Sequence, residues 1–140
     1  MAGKNSKSFE LVISSDTKHL TKVEKLSEEV ASYANLDESD GDDLGIVTTE
    51  LVNNAIHHGN QDDPSKTVTI KFTVNSNKIE IRITDQGSGF DPAKLKDPLA
   101  PENLMSESGR GIFLIRNLMD TIDFYFTSLG TETVVTKNLS

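Results

Sequence analysis

The sequence predicts an α+β fold, a two-layer sandwich in which a mixed, mostly antiparallel sheet is covered on one face by helices. Three observations carry this. Apolar residues alternate at period two in 67–74 (Val68, Ile70, Phe72, Val74) and in 78–84 (Ile79, Ile81, Ile83), with Asn75-Ser76-Asn77 between them as a short hairpin loop. Apolar residues recur at helical spacing in two stretches before this hairpin and in one after it. The resulting order, β-α-α-β-β-loop-α-β-β, is that of a sheet with helices packed on one side.

Each element has its own signal. Residues 1–7 are small and polar and read as a flexible N-terminus, leaving 8–140 as a single domain. Phe9, Leu11 and Ile13 alternate in a first strand over 8–14. Asp16 can cap a helix whose apolar positions are Leu20, Val23, Leu26, Val30 and Ala34. Five carboxylates crowd 37–43; the stretch lacks the terminal glutamate of an EF-hand and reads as a solvated turn that sets negative charge before a helix. That second helix is expected over 43–58. Residues 91–108 hold Pro92, Pro98 and Pro101 and little periodicity, the mark of a lid or binding loop. A third helix is expected after Gly111, using Ile112, Ile115, Leu118 and Met119. A last hairpin pairs Ile122, Phe124 and Phe126 with 133–137 around Leu129-Gly130.

Composition excludes several classes of function. The 140 residues carry 14 Lys and Arg against 22 Asp and Glu, a net charge of −8, which argues against direct nucleic-acid or anionic-membrane binding. No cysteine is present, so disulfides, thiolate metal sites and thiol catalysis are ruled out. No apolar run has the length of a membrane span and the first ten residues hold no signal-peptide core, so a cytoplasmic location is expected.

Three short constellations can carry chemistry. On the second helix, Leu44, Val47, Leu51 and Ala55 share the core face, while Glu50, Asn53, Asn54 and His57 form a narrow polar seam. Glu50 and Asn54 are one turn apart; a carboxylate can serve as a general base and an amide oxygen can ligate Mg²⁺, though an ordinary exposed face is an equal reading. Asp85-Gln86-Gly87-Ser88-Gly89-Phe90 follows a strong strand, and its glycines allow a flat ligand close approach while Asp85 accepts from an exocyclic amine; alone, it is also a plain turn. Ser108-Gly109-Arg110-Gly111-Ile112 opens a helix with free N–H groups, a natural phosphate site or a simple flexible cap. His58 falls on the core-facing side and reads as a structural histidine. His19 has no evident partner and reads as surface. No dinucleotide fingerprint, Walker loop or Gly-x-Ser-x-Gly elbow is present.

In their fixed order, Glu50-Leu51-Val52-Asn53-Asn54-Ala55-Ile56-His57-His58-Gly59, Asp85-Gln86-Gly87-Ser88-Gly89-Phe90 and Gly109-Arg110-Gly111-Ile112-Phe113-Leu114-Ile115 resemble the GHKL (Bergerat-fold) ATPases. The likeness is greatest to the small single-domain anti-sigma-factor serine/threonine kinases. It runs from about Phe9 to Lys137 and implies an ATP site. On that likeness Asn54 holds Mg²⁺, Glu50 is the catalytic base, Asp85 reads the adenine amine, and Gly87 and Gly89 let the base lie close. Gly109, Arg110 and Gly111 close over the phosphates, Thr131 in Gly130-Thr131 assists Asp85, and His58 joins the nucleotide-binding set. The pattern departs in two places: Arg110 sits between the lid glycines, with Glu107 where a basic residue is found in some relatives, and Thr133 replaces a usual apolar residue. The implied activity is ATP-dependent phosphorylation of a STAS-domain antagonist within a partner switch, by a homodimer that also binds a sigma factor. The alternative is a non-catalytic ATP-dependent binding module of the same fold. A histidine-kinase catalytic domain is disfavoured, since a single helix precedes the Glu50 helix.

Overall fold

A computed structural model describes residues 6–87 and 107–139. Strands β1 (Lys7–Ser14), β2 (Thr67–Val74), β3 (Lys78–Thr84), β4 (Thr121–Thr127) and β5 (Gly130–Asn138) form one sheet in the order β1-β2-β3-β5-β4. Every pairing is antiparallel. Helices α1 (Leu20–Tyr33), α2 (Glu38–Asn54) and α3 (Glu107–Leu118) complete the sandwich. β2 and β3 have the bounds that their alternation predicts, and Asn75 Oδ1 closes their hairpin by accepting from the N–H groups of Asn77 and Lys78.

The core lies between the helices and one face of the sheet. Phe9, Ile13, Val68, Ile70, Phe72, Ile79, Ile81, Ile83 and Val135 point inward from the strands and are buried. Val23 and Val30 of α1 and Leu44, Val47, Leu51 and Val52 of α2 meet them. The other face carries Glu10, Lys71, Glu80, Arg82 and Glu132, with Val12 53% exposed among them. There Arg82 bridges Glu80 and Glu132, and its bond to Glu80 above all raises its pKa.

The structure revises several expectations, among them that for Lys7, which belongs to β1 rather than to a flexible N-terminus. Asp16 caps a 3-10 turn (Thr17–His19), accepting from Lys18 N–H at 2.9 Å, and α1 begins only after it. α2 starts at Glu38, five residues before the expected position. Asp37 is its cap, accepting from Asp40 N–H at 2.8 Å, and Glu38 and Asp40 lie in the first turn, where carboxylates favour the positive end of the helix dipole. The acidic stretch is therefore helix N-terminus rather than loop. α3 starts at Glu107 and so includes Gly109–Gly111; it takes in the last two residues of the expected lid, whose residues 91–106 lie outside the described residues. β5 begins at Gly130, three residues early, and thereby reaches the functional region.

At its C-terminal end α2 passes into a π-helical turn, Ala55–Gly59, closed by Asn60 N–H donating to Ala55 O at 2.8 Å. The wider turn takes one more residue than an α-helical turn. This shift rotates His58 out of the core, and the imidazole expected to be structural is exposed. His19, expected to be without a partner, is half-buried with Nε2 3.0 Å from Ser14 Oγ. None of the described helices is long and apolar enough to cross a membrane.

Candidate functional site

β3 delivers Asp85 to the end of the central strand, where its side chain is buried with 7% exposure. Its backbone N–H donates to Thr131 O at 2.9 Å, carrying the β3–β5 ladder one residue further. The carboxylate is fixed by two peptide groups: Gly87 N–H donates to Oδ1 at 3.0 Å and Thr131 N–H donates to the same oxygen at 3.1 Å. Oδ2 has no hydrogen-bond partner among the described residues.

The walls of this small site are backbone. A Cβ on Gly59 would stand 2.1 Å from Asp85 Oδ2, and one on Gly87 would stand 1.9 Å from Gly59 O. Gly130, at φ +150°, holds a conformation that side-chain-bearing residues rarely adopt, and a Cβ there would meet Asp85 O at 2.1 Å. Thr131, whose N–H reaches the carboxylate, carries a buried hydroxyl without a hydrogen-bond partner among the described residues. An unmade hydrogen bond of this kind costs about 1–3 kcal/mol, so a group able to complete it would gain affinity here. A carboxylate oxygen walled by glycine backbone suits the amino edge of a flat heterocycle.

A second cluster lies on α2. Glu50 is half-buried, and a Cβ on Gly111 of α3 would stand 2.5 Å from its Oε1, so the two helices meet at the carboxylate. Asn54, one turn on, is half-buried at the last position of α2. No group of three or more His, Cys, Asp or Glu side chains gathers to form a cation site among the described residues. A Mg²⁺ ion fits Asn54 only as one ligand among phosphate oxygens and water, which is how this cation is commonly held.

The structure thus brings together Asp85, Gly87 and Thr131 in one cluster, and Glu50 and Gly111 in another. Gly109 and Arg110 lie in the first turn of α3, and Gly89 lies outside the described residues. His58 is exposed on the π turn, one residue before Gly59. Sequence reasoning left Gly59 without a role and missed Asn60, which is 1% exposed and accepts from Gln86 N–H, next to Asp85, at 2.7 Å. The signal that could have found both is a Gly-Asn pair directly after the polar seam of a helix.

Known proteins share the sequence pattern and the fold. The sequence model of the family described as "Histidine kinase-like ATPase domain" matches residues 13–137. The chain is 32% identical over 117 residues to the serine-protein kinase RsbW of Bacillus licheniformis, covering 79% of this chain and 72% of that one. It is 28% identical over 117 residues to the serine-protein kinase RsbW of Listeria monocytogenes serotype 4a, covering 79% and 74%. Among solved structures, the histidine kinase domain of the Erythrobacter litoralis EL346 blue-light activated histidine kinase matches with a TM-score of 0.61 at 15% identity, a likeness of fold. That match covers 86% of this chain, which spans 60% of the length of the kinase structure. The chain belongs to the histidine kinase-like ATPase domain family and, within it, to the RsbW-type serine-protein kinases.

Proposed function

We propose that the chain is an ATP-dependent protein serine/threonine kinase that acts as an anti-sigma factor in a partner switch, and that it phosphorylates a STAS-domain antagonist. The observation that carries the nucleotide reading is the buried Asp85 carboxylate, whose Oδ1 is held by the Gly87 and Thr131 N–H groups and whose Oδ2 has no partner among the described residues, walled by Gly59, Gly87 and Gly130. Asp85 accepts from the adenine amine with Thr131 assisting, and Gly87 and Gly89 let the base lie close. Gly109, Arg110 and Gly111 at the start of α3 cover the phosphates, and His58 completes the set.

Asn54 would hold Mg²⁺, which when bound neutralises charge on the phosphate oxygens. Glu50 takes the proton of the acceptor hydroxyl as its oxygen bonds to the γ-phosphorus and the bond to the ADP leaving group breaks. The net charge of −8 complements a basic face on a sigma factor. A homodimer in the cytoplasm, built on this single domain, completes the reading.

Calorimetric titration with ATP, ADP and GTP, with and without Mg²⁺, tests the site. Adenine-selective binding that Mg²⁺ strengthens is expected, and transfer of the γ-phosphoryl to serine of a STAS-domain protein should follow. Absence of binding to every nucleotide would overturn the reading.

A further inference from the structure

Asn60 uses its side-chain amide in three directions. Oδ1 accepts from Gln86 N–H at 2.7 Å, and Nδ2 donates to Ser15 Oγ at 2.8 Å and to Thr67 O at 2.9 Å. The two acceptors facing Nδ2 fix which way the amide points, so Oδ1 must face the peptide that follows Asp85. Asn60 is 1% exposed, so no solvent can replace these bonds. It therefore ties the end of β1, the start of β2 and the exit of β3 to the π turn that continues the Glu50 helix. Its neighbour Gly59 packs against Asp85 Oδ2. The pair holds Asp85 at two points: one through contact with the carboxylate, one through the next peptide.

We infer that Asn60 is a positioning residue that sets the purine selectivity of the nucleotide site by fixing, through Gln86, where the Asp85 carboxylate stands. The inference rests on the reading of Asp85 as the acceptor for the adenine amine. A carboxylate rewards an amino group and repels a carbonyl at the same place, so its discrimination depends on placement to a fraction of an ångström. With Oδ1 of Asn60 gone, Gln86 N–H loses its partner. The Asp85–Gly87 turn, which supplies one of the two N–H groups on Asp85 Oδ1, then keeps the bonds of Asp85 to Thr131 but is tied at Gln86 through its side chain alone, whose Oε1 accepts from Thr67 N–H at 2.7 Å. Ser15 lies behind Asn60: without it Thr67 O still orients the amide, and Oδ1 keeps its bond from Gln86 N–H. The Ser15 hydroxyl donates to Lys66 O at 2.9 Å and accepts from Asn60, and it has no bond to Asp85 or Gln86.

The test compares Asn60→Ala and Ser15→Ala with the parent chain, by calorimetric titration with ADP and GDP at a temperature where all are folded. Both variants lose thermal stability. Asn60→Ala is expected to weaken ADP binding about tenfold and to narrow the preference for ADP over GDP by a similar factor, as befits one misplaced hydrogen bond to a charged group. Ser15→Ala should leave both quantities unchanged. If Asn60→Ala does not fold, Asn60→Ser carries the same expectation, since its hydroxyl is too short to reach Gln86. An unchanged ADP preference in the Asn60 variant, or an equal loss in both variants, overturns the positioning role while leaving the nucleotide reading intact. Failure of the parent chain to bind ADP overturns both.

Discussion

The α-carbon of Gly111 lies against the carboxylate of Glu50, so close that a methyl group on it would stand 2.5 Å from Oε1 and 3.0 Å from Cδ. The Glu50 carboxylate can stand in this position between α2 and α3 because residue 111 has no side chain. Gly111→Ala is expected to push the Glu50 carboxylate aside. A base displaced by about an ångström can lose a hundredfold in rate. Phosphoryl transfer should therefore fall far more than nucleotide affinity, measured as transfer rate against calorimetric binding. Equal losses in the two would show that Gly111 serves the nucleotide rather than the base.

Glu50→Gln keeps the shape and removes the proton acceptor. Serine phosphorylation should drop by about two to four orders of magnitude while nucleotide binding survives. Transfer at the parent rate would remove Glu50 from its role.

Asp85→Asn replaces an acceptor by an amide that cannot present two carboxylate oxygens. Loss of a hydrogen bond to a charged group costs about 1.5–3 kcal/mol, so ADP affinity should fall about 10- to 100-fold. Unchanged affinity would count against the site as a whole.

Thr131→Val keeps the branched shape and removes the buried hydroxyl that has no partner among the described residues. Two opposite signs are expected. Without nucleotide the variant should be more stable than the parent by about 1 kcal/mol, because an unmade hydrogen bond has been deleted. With saturating ADP the parent should gain more melting temperature than the variant does. A loss of stability without nucleotide would show that the hydroxyl is satisfied in solution.

Ser65 donates to Asp63 Oδ1 from its hydroxyl at 2.7 Å and its backbone N–H at 2.9 Å, and these bonds hold the Asp63 carboxyl below the usual carboxylate range. A depressed pKa contributes stability above the ordinary carboxylate range, and that contribution is lost as pH falls through the folded value. Ser65→Ala should thus be less stable than the parent near neutrality, with the difference closing in acid. An NMR titration of the Asp63 carboxyl should show its pKa rising in the variant. A difference that persists unchanged in acid would remove the assigned cause.

How far the molecule could be read from its residues depended on whether a pattern was local. The alternation of Val68, Ile70, Phe72 and Val74 against Ile79, Ile81 and Ile83 is a local pattern, and it located β2 and β3 to the residue. The start of α2 was misplaced because Glu38, Asp40, Asp42 and Asp43 look solvated whether or not they are helical; Asp37 as a cap decides it. The π turn leaves no mark in hydrophobic spacing, and with it went the orientation of His58. Glu50 and Asp85 stood out by residue type and Thr131 only through the family resemblance, and the structure supplied what neither can: that Thr131 hands its N–H to Asp85 while its hydroxyl has no partner among the described residues. Asn60 was invisible because its three partners lie in separate segments of the chain, the farthest 45 residues away.

The β3–β5 seam has a kinetic meaning. Asp85 and Thr131 are 46 residues apart and sit in different hairpins, each of which can close locally. Joining the hairpins requires closing the long intervening stretch of chain, the slower kind of step in folding. The nucleotide site thus has no existence in either half alone. Its affinity is a report that the two halves have met, and bound nucleotide draws the folding equilibrium by mass action toward the chain in which they have.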